Sequence, residues 1–154
     1  MGTRSRIGVM HGDNCKSVYC HWDGYVDHNG RILKEHYDTP SKVADLIALG
    51  DLSSLRQEIG QVHSFDADRG PEPELGLTDD WCVAYGRDRG ETGTEAQTFK
   101  TISEWVEAEA ERWCEYFYLF DGQDWIVSNG KKDESGCFEF DFLEVAILKE
   151  IVEN

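Results

Sequence analysis

Residues 6–22 read "RIGVMHGDNCKSVYCHW", and the fold turns on how this stretch is read. Two runs of alternating apolar residues flank the cluster Gly12-Asp13-Asn14. Period-two alternation on both sides of a group of turn formers predicts a β-hairpin. Ile7 and Val9 belong to its first strand. In the second, period two places Val18, Cys20 and Trp22 on one face and Tyr19 with His21 on the other. Asp23-Gly24 ends the strand. A turn centred on Asp13-Asn14 pairs residue i with roughly 27 − i, which sets Arg4 opposite Asp23.

Outward from the hairpin, "NGRILKEHY" has helical spacing at Ile32, Leu33 and Tyr37, with Arg31 and Glu35 one turn apart. "TPSKVADLIALG" is a clearer helix. Thr39 caps it, Pro40 suits its first position, Val43, Leu46 and Ile47 form its inner stripe, and Gly50 stops it. Asp51 is expected to open a further short helix with Leu52, Leu55 and Ile59 inward. Residues 64–80, rich in Asp, Glu, Pro and Gly, read as a long surface loop or a seam between two subregions of one domain spanning 1–154. "WCVAY" is a short strand, and "GRDRGETGTE" a mobile charged loop.

Thr101-Ile-Ser-Glu104 is a capping box that opens a helix running to about Trp113. Ile102, Trp105, Val106, Ala110 and Trp113 share one face of it, Glu104, Glu107, Glu111 and Glu115 the other. Glu109 alone projects toward the apolar side. "EYFYLFDGQDWIVSNG" is a second hairpin. The tail begins with alternating Phe138, Phe140 and Phe142 and is expected to end as a helix burying Leu143, Ile147 and Ile151. The sum predicts an α+β fold: an antiparallel sheet built from hairpins, with helices packed on one face.

The chain of 154 residues carries 15 Lys+Arg against 31 Asp+Glu, a net charge of −16. Residues 1–77 hold 8 basic and 12 acidic side chains, residues 78–154 hold 7 and 19. Such a surface repels nucleic acid and anionic membrane and favours a cationic partner. The five cysteines, odd in number and without a C-x-x-C pair, suggest neither a zinc knuckle nor a disulfide framework, so a reducing cytoplasm is expected. "MGTRSR" has no apolar signal region, and Arg6 breaks the myristoylation pattern that Gly2 would open. No metal and no cofactor is expected.

The P-loop, G-x-S-x-G, H-E-x-x-H and Rossmann glycine patterns are absent. Three arrangements remain. Arg4, Tyr19, His21, Asp23, Tyr25 and His36 form an aromatic-polar set of the kind that stacks a base and holds a phosphate, which points to a small nucleotide ligand. His21 with Asp23 or Glu35, joined by Asp27 and His28, suggests acid–base chemistry of a hydrolase or a metal site. Glu104, Glu107, Glu111 and Glu115 line about 16 Å of helix, a row of carboxylates that resembles a phosphate backbone in charge density. The arginines of "GRDRGETG" offer a weaker phosphate site, without the strand-to-helix context such sites need.

Thr3-Arg4-Ser5, the run Tyr19 to Tyr25, Leu33 with His36-Tyr37, and Leu46 to Ser53 together resemble a family of small uncharacterised bacteriophage proteins. Its members share an opening Thr-Arg-Ser, a Tyr-x-His-Trp-Asp-Gly-Tyr core and a Leu-x-x-His-Tyr helix. The match covers about residues 3–55. The resemblance implies a phage accessory protein acting in the host bacterial cytoplasm, and it brings no activity with it. Joined to the charge, it leads to an expectation of a non-enzymatic acidic protein that inhibits a host or anti-phage defence protein with a basic surface. DNA mimicry is the means, and direct nucleic-acid binding is not expected. A nucleotide-signal sponge is the alternative, and a hydrolase the weakest reading.

Overall fold

The computed structural model describes residues 3–62, 81–110, 114–143 and 146–147. In chain order the elements are β1 (Ser5–His11), β2 (Asn14–Cys20), a π-helical turn (Val26–Gly30), α1 (Arg31–His36), α2 (Pro40–Ala48) and β3 (Leu52–Ser54). They continue with β4 (Val83–Ala84), α3 (Tyr85–Arg89), β5 (Gln97–Phe99), α4 (Ile102–Ala110), β6 (Tyr116–Phe120), β7 (Trp125–Ser128) and β8 (Asp141–Phe142). One mixed sheet runs in the order β4-β3-β2-β1-β6-β7-β8, with β5 also paired to β2. The expected antiparallel sheet is therefore mostly so, but β1–β6 and β2–β3 are parallel. Residues 64–80 lie outside the described residues, and strands from either side of them join the same sheet.

The β1–β2 hairpin forms as its alternation predicts, with a corrected register. Ser5 pairs with Cys20 and His11 with Asn14, so the turn is Gly12-Asp13. Gly12 supplies the positive φ (62°) that a two-residue turn needs, which pulls the turn one residue earlier than its most polar pair suggested. The partner of each residue moves by two, an even step that preserves the faces. Arg4 is thereby not opposite Asp23. The second hairpin, β6–β7, pairs Phe117 with Ser128 and Phe120 with Trp125.

Sequence and structure agree closely on α2. The Thr39 hydroxyl accepts from the Lys42 amide (3.3 Å), Pro40 begins the helix, Val43, Leu46 and Ile47 are buried, and Gly50 ends it at φ 79°. Burying each of those three side chains is worth about 1.5–3 kcal/mol. The predicted short helix after Asp51 is instead β3. Leu52 and Leu55 are fully buried as expected, but the backbone pairs with β2 and β4. A three-residue spacing of leucines fits a helix or a short strand with an irregular step, and here the open edge of β2 offers the stronger set of hydrogen bonds. The Arg31 guanidinium pairs with Asp27 in the preceding π turn rather than with Glu35. The "GRDRGETGTE" loop begins as α3, which Gly90 caps in the left-handed conformation.

Helices on one face is the expectation the packing overturns. Tyr118 and Phe120 of β6 join Ile7, Val18 and Cys20 in a cluster with Leu33 of α1 and Val43, Leu46 and Ile47 of α2. Phe117 and Leu119, which alternate with them, pack with Cys15 and with Trp105 and Val106 of α4. Successive strand residues point to opposite faces, so α1 and α2 cover one side and α4 the other. Gly8 makes the second contact possible: a Cβ there would lie 3.2 Å from the Trp105 ring and 2.9 Å from the Cys15 sulfur. Such covering on both faces needs strands apolar on both sides, as "YFYLF" is.

In the tail, Asp141–Phe142 pairs with β7, while Leu143 and Ile147 are buried. The predicted Ile151, Glu111 and Trp113 lie outside the described residues. Among the described residues no helix is long and apolar enough to cross a membrane.

Candidate functional site

The α4-covered face of β1 and β2 begins with a buried charge. Arg6 and Glu109 side chains are 4% and 3% exposed and approach to 3.9 Å. The guanidinium is also held on β2, donating to the Ser17 hydroxyl (2.8 Å) and carbonyl (3.2 Å). The inward Glu109 that helical periodicity singled out is thus matched by an arginine from the central strand. Tyr19, paired with Arg6 across the ladder, shares that face. Its backbone N–H donates to Asp51 Oδ1 (2.9 Å), and its hydroxyl lies 2.7 Å from Nδ1 of His21.

Arg4 is the electrostatic neighbour of both. Burial pushes the Tyr19 hydroxyl up to about 12. Burial first, and then the Arg4 charge, lower the His21 pKa below its usual 6.5. Burial also raises the Asp51 carboxyl. The outcome is a half-buried corner with a protonated phenol, a neutral imidazole and a guanidinium that makes no ion pair among the described residues. Tyr85, which Ser53 hydrogen-bonds, adjoins it and completes an edge that sequence reading missed. Asp51 and Tyr85 reach this corner through β3 and β4, whose pairing only tertiary contacts establish.

The remaining candidates go elsewhere. β2 ends at Cys20, so strand alternation does not reach Asp23, which instead adopts φ 56°. Its carboxylate faces Nε2 of His28 at 4.0 Å instead. His28 Nδ1 lies 2.9 Å from the Asn29 side-chain oxygen Oδ1, and the buried Asn29 Nδ2 faces the Ser5 hydroxyl, the Cys20 sulfur and the Trp22 carbonyl. Gly24 fits beneath the first strand, where a Cβ would sit 2.6 Å from the Thr3 carbonyl, and its own carbonyl accepts from the Tyr118 hydroxyl (2.6 Å). "WDGY" is therefore largely a structural corner. Tyr25 stands exposed beside the His28 ring, and His36 faces Glu35 at 3.9 Å. No group of three His, Cys, Asp or Glu side chains among the described residues is placed to share a metal ion.

Of the two arginines in the candidate phosphate loop, Arg89 is exposed and meets Glu91 at 3.5 Å, while Arg87 is committed to structure. Arg87 donates to the Ile59 and Cys82 carbonyls (2.7 Å each) and pairs with the buried Asp88. At the start of α4, the Thr101 hydroxyl accepts from the Glu104 amide (3.1 Å), which is one half of the expected capping box. Glu104 and Glu107 are exposed on α4, where Glu107 meets Lys132 at 3.6 Å. Glu115, also exposed, is not on α4 as described: it directly precedes β6, where its backbone N–H donates to the Arg4 carbonyl (2.9 Å), so it is no part of the helical row that the spacing predicted.

Comparison with protein-family models, with curated proteins and with solved structures finds no match for this chain.

Proposed function

We propose that this chain is a phage accessory protein of the host bacterial cytoplasm that binds, without catalysis, a basic surface of a host or anti-phage defence protein, in the manner of a DNA mimic. The observation that carries the reading is the outer side of α4. Glu104 and Glu107 face solvent on a helix whose inner side is fixed by the fully buried Trp105 and Val106. With the helix held in this way, binding need not order the main chain that carries these carboxylates. The net charge of −16 supplies the long-range attraction. The Lys132 contact neutralises little, since an exposed pair of this kind contributes about 0–1 kcal/mol.

The test is charge reversal. Glu104→Lys with Glu107→Lys and Glu115→Lys is expected to leave the unfolding free energy within about 1 kcal/mol, because all three side chains are exposed. The same variant should lose salt-sensitive capture of a basic DNA-handling protein from bacterial lysate. Undiminished capture by the folded variant rejects the reading.

A second reading, a nucleotide-signal sponge, is favoured by one observation: Arg4, Tyr19 and His21 converge on one face and Arg4 lacks an ion-pair partner among the described residues. In the free protein His21 is expected to stay neutral below pH 6.5, its unfolded value, so that falling pH through that window destabilises the fold. A phosphate seated between Arg4 and His21 would bring the histidine pKa back up. Ring NMR signals of His21 that move with no nucleotide across the titration count against the sponge.

A further inference from the structure

A cleft of about 380 Å³ opens between the end of α1, the β6–β7 turn and β8. Lys34, Asp38, Gln123, Asp124, Trp125 and Phe142 line it, over a floor of Phe120 and Leu143. We infer that this cleft receives an arginine side chain of the partner. The inference rests on the reading of a basic partner and adds to it a second point of attachment, away from α4.

Size excludes much. The volume is at the lower end of the roughly 300–1,000 Å³ typical of ligand clefts, which suits one long side chain and is cramped for a dinucleotide. Charge narrows it further, because two carboxylates face one ammonium in the lining. The Asp38 carboxylate is shared with Lys42 at 3.3 Å. That of Asp124 makes no ion pair among the described residues. The turn sets Asp124 in place: Asp121 Oδ1 accepts from its backbone N–H (2.8 Å), and its carbonyl accepts from the Asp121 amide (3.1 Å).

The aromatic walls then choose among cations. Trp125 is fixed by donation from Nε1 to the Tyr37 carbonyl (2.8 Å) and by packing on Phe120. Phe142 leaves 59% of its surface exposed at the rim, an apolar ring with a face to offer. A guanidinium is flat and weakly hydrated. It stacks on such a ring while donating two hydrogen bonds to a carboxylate, which a compact ammonium does less well.

The experiment titrates N-acetyl-arginine-methylamide into the full ¹⁵N-labelled chain and follows the Trp125 Nε1–H resonance. A saturable shift is expected, with little from the isosteric, uncharged citrulline compound. Asp124→Asn should weaken the response about fivefold, by removing the charge from the acceptor. Phe142→Leu, which keeps the apolar bulk at this exposed position, should weaken it about threefold. An equal response to citrulline, or an unchanged one in Asp124→Asn, overturns the inference. The two readings fail separately. Loss of capture on α4 charge reversal with Trp125 unmoved by arginine removes the cleft and keeps the acidic face. An arginine-specific Trp125 shift with capture indifferent to α4 removes the acidic face and keeps the cleft.

Discussion

Arg6→Met is expected to destabilise the protein by about 3–5 kcal/mol, measured as a shift in the urea midpoint at neutral pH. The variant leaves the Glu109 carboxylate without its guanidinium in a site where both side chains are almost wholly buried. It also strips a donor from the Ser17 hydroxyl and carbonyl, and an unsatisfied buried acceptor costs about 1–3 kcal/mol. The paired replacement Arg6→Met with Glu109→Met is the decisive comparison. Removing both charges together should recover at least about 2 kcal/mol of the single-variant loss, since two apolar side chains of similar length refill the space. If the double variant is as unstable as the sum of its singles, the pair is not coupled and the account of this face is wrong.

Trp105→Ala is expected to cost a further 3–5 kcal/mol or so, the usual range for deleting a fully buried tryptophan. Trp105 joins α4 to the sheet: it lies over Gly8 and meets Phe117 edge-on at a centroid distance of 5.6 Å. Losing it should therefore speed amide exchange along α4 more than along α2, whose core is on the opposite face. Partner capture should fall as well, because Glu104 and Glu107 would no longer be held in place. Trp105→Phe makes a sharper comparison. The Trp105 Nε1–H is buried and finds no hydrogen-bond acceptor among the described residues, so the phenylalanine removes an unsatisfied donor while leaving a smaller void. Its loss should be well under that of alanine. Equal losses would mean that the ring contributes no packing beyond its first carbons.

Much of this fold was legible in the residues. Alternation specified β1 and β2, strand formers around a glycine-containing turn specified β6 and β7, and α2 came out with its cap, stripe and stop, because each of those signals is local. The inward Glu109 was legible too, as the one acidic residue off the wet side of a helical wheel. Its partner was not, since a single arginine in a strand carries no mark of which helix will cover it. The candidate site divided in the same way. Tyr19 and His21 share a face because their spacing is two. Asp23 left them because the strand stops at Cys20 and Asp23 turns with a positive φ, and a backbone angle at an aspartate is not written in its side chain. Asp51 and Tyr85 were missed because their place depends on β3 and β4 pairing across a wide separation in the chain.

The sequence by itself determined both hairpins, α2 and the start of α4, the acidic charge and its concentration after residue 77, and which faces of β1, β2, α2 and α4 are apolar. Those properties follow from nearest neighbours and from period. Only the tertiary structure decided that β1 lies parallel to β6, that helices cover both faces of the sheet, and that Leu52 to Ser54 form a strand. It also brought Arg6 to Glu109 and formed the cleft beside Trp125. Each of these depends on backbone and side-chain groups far apart in the chain finding one another, and the energy that selects such a pairing exists only once both partners are in place.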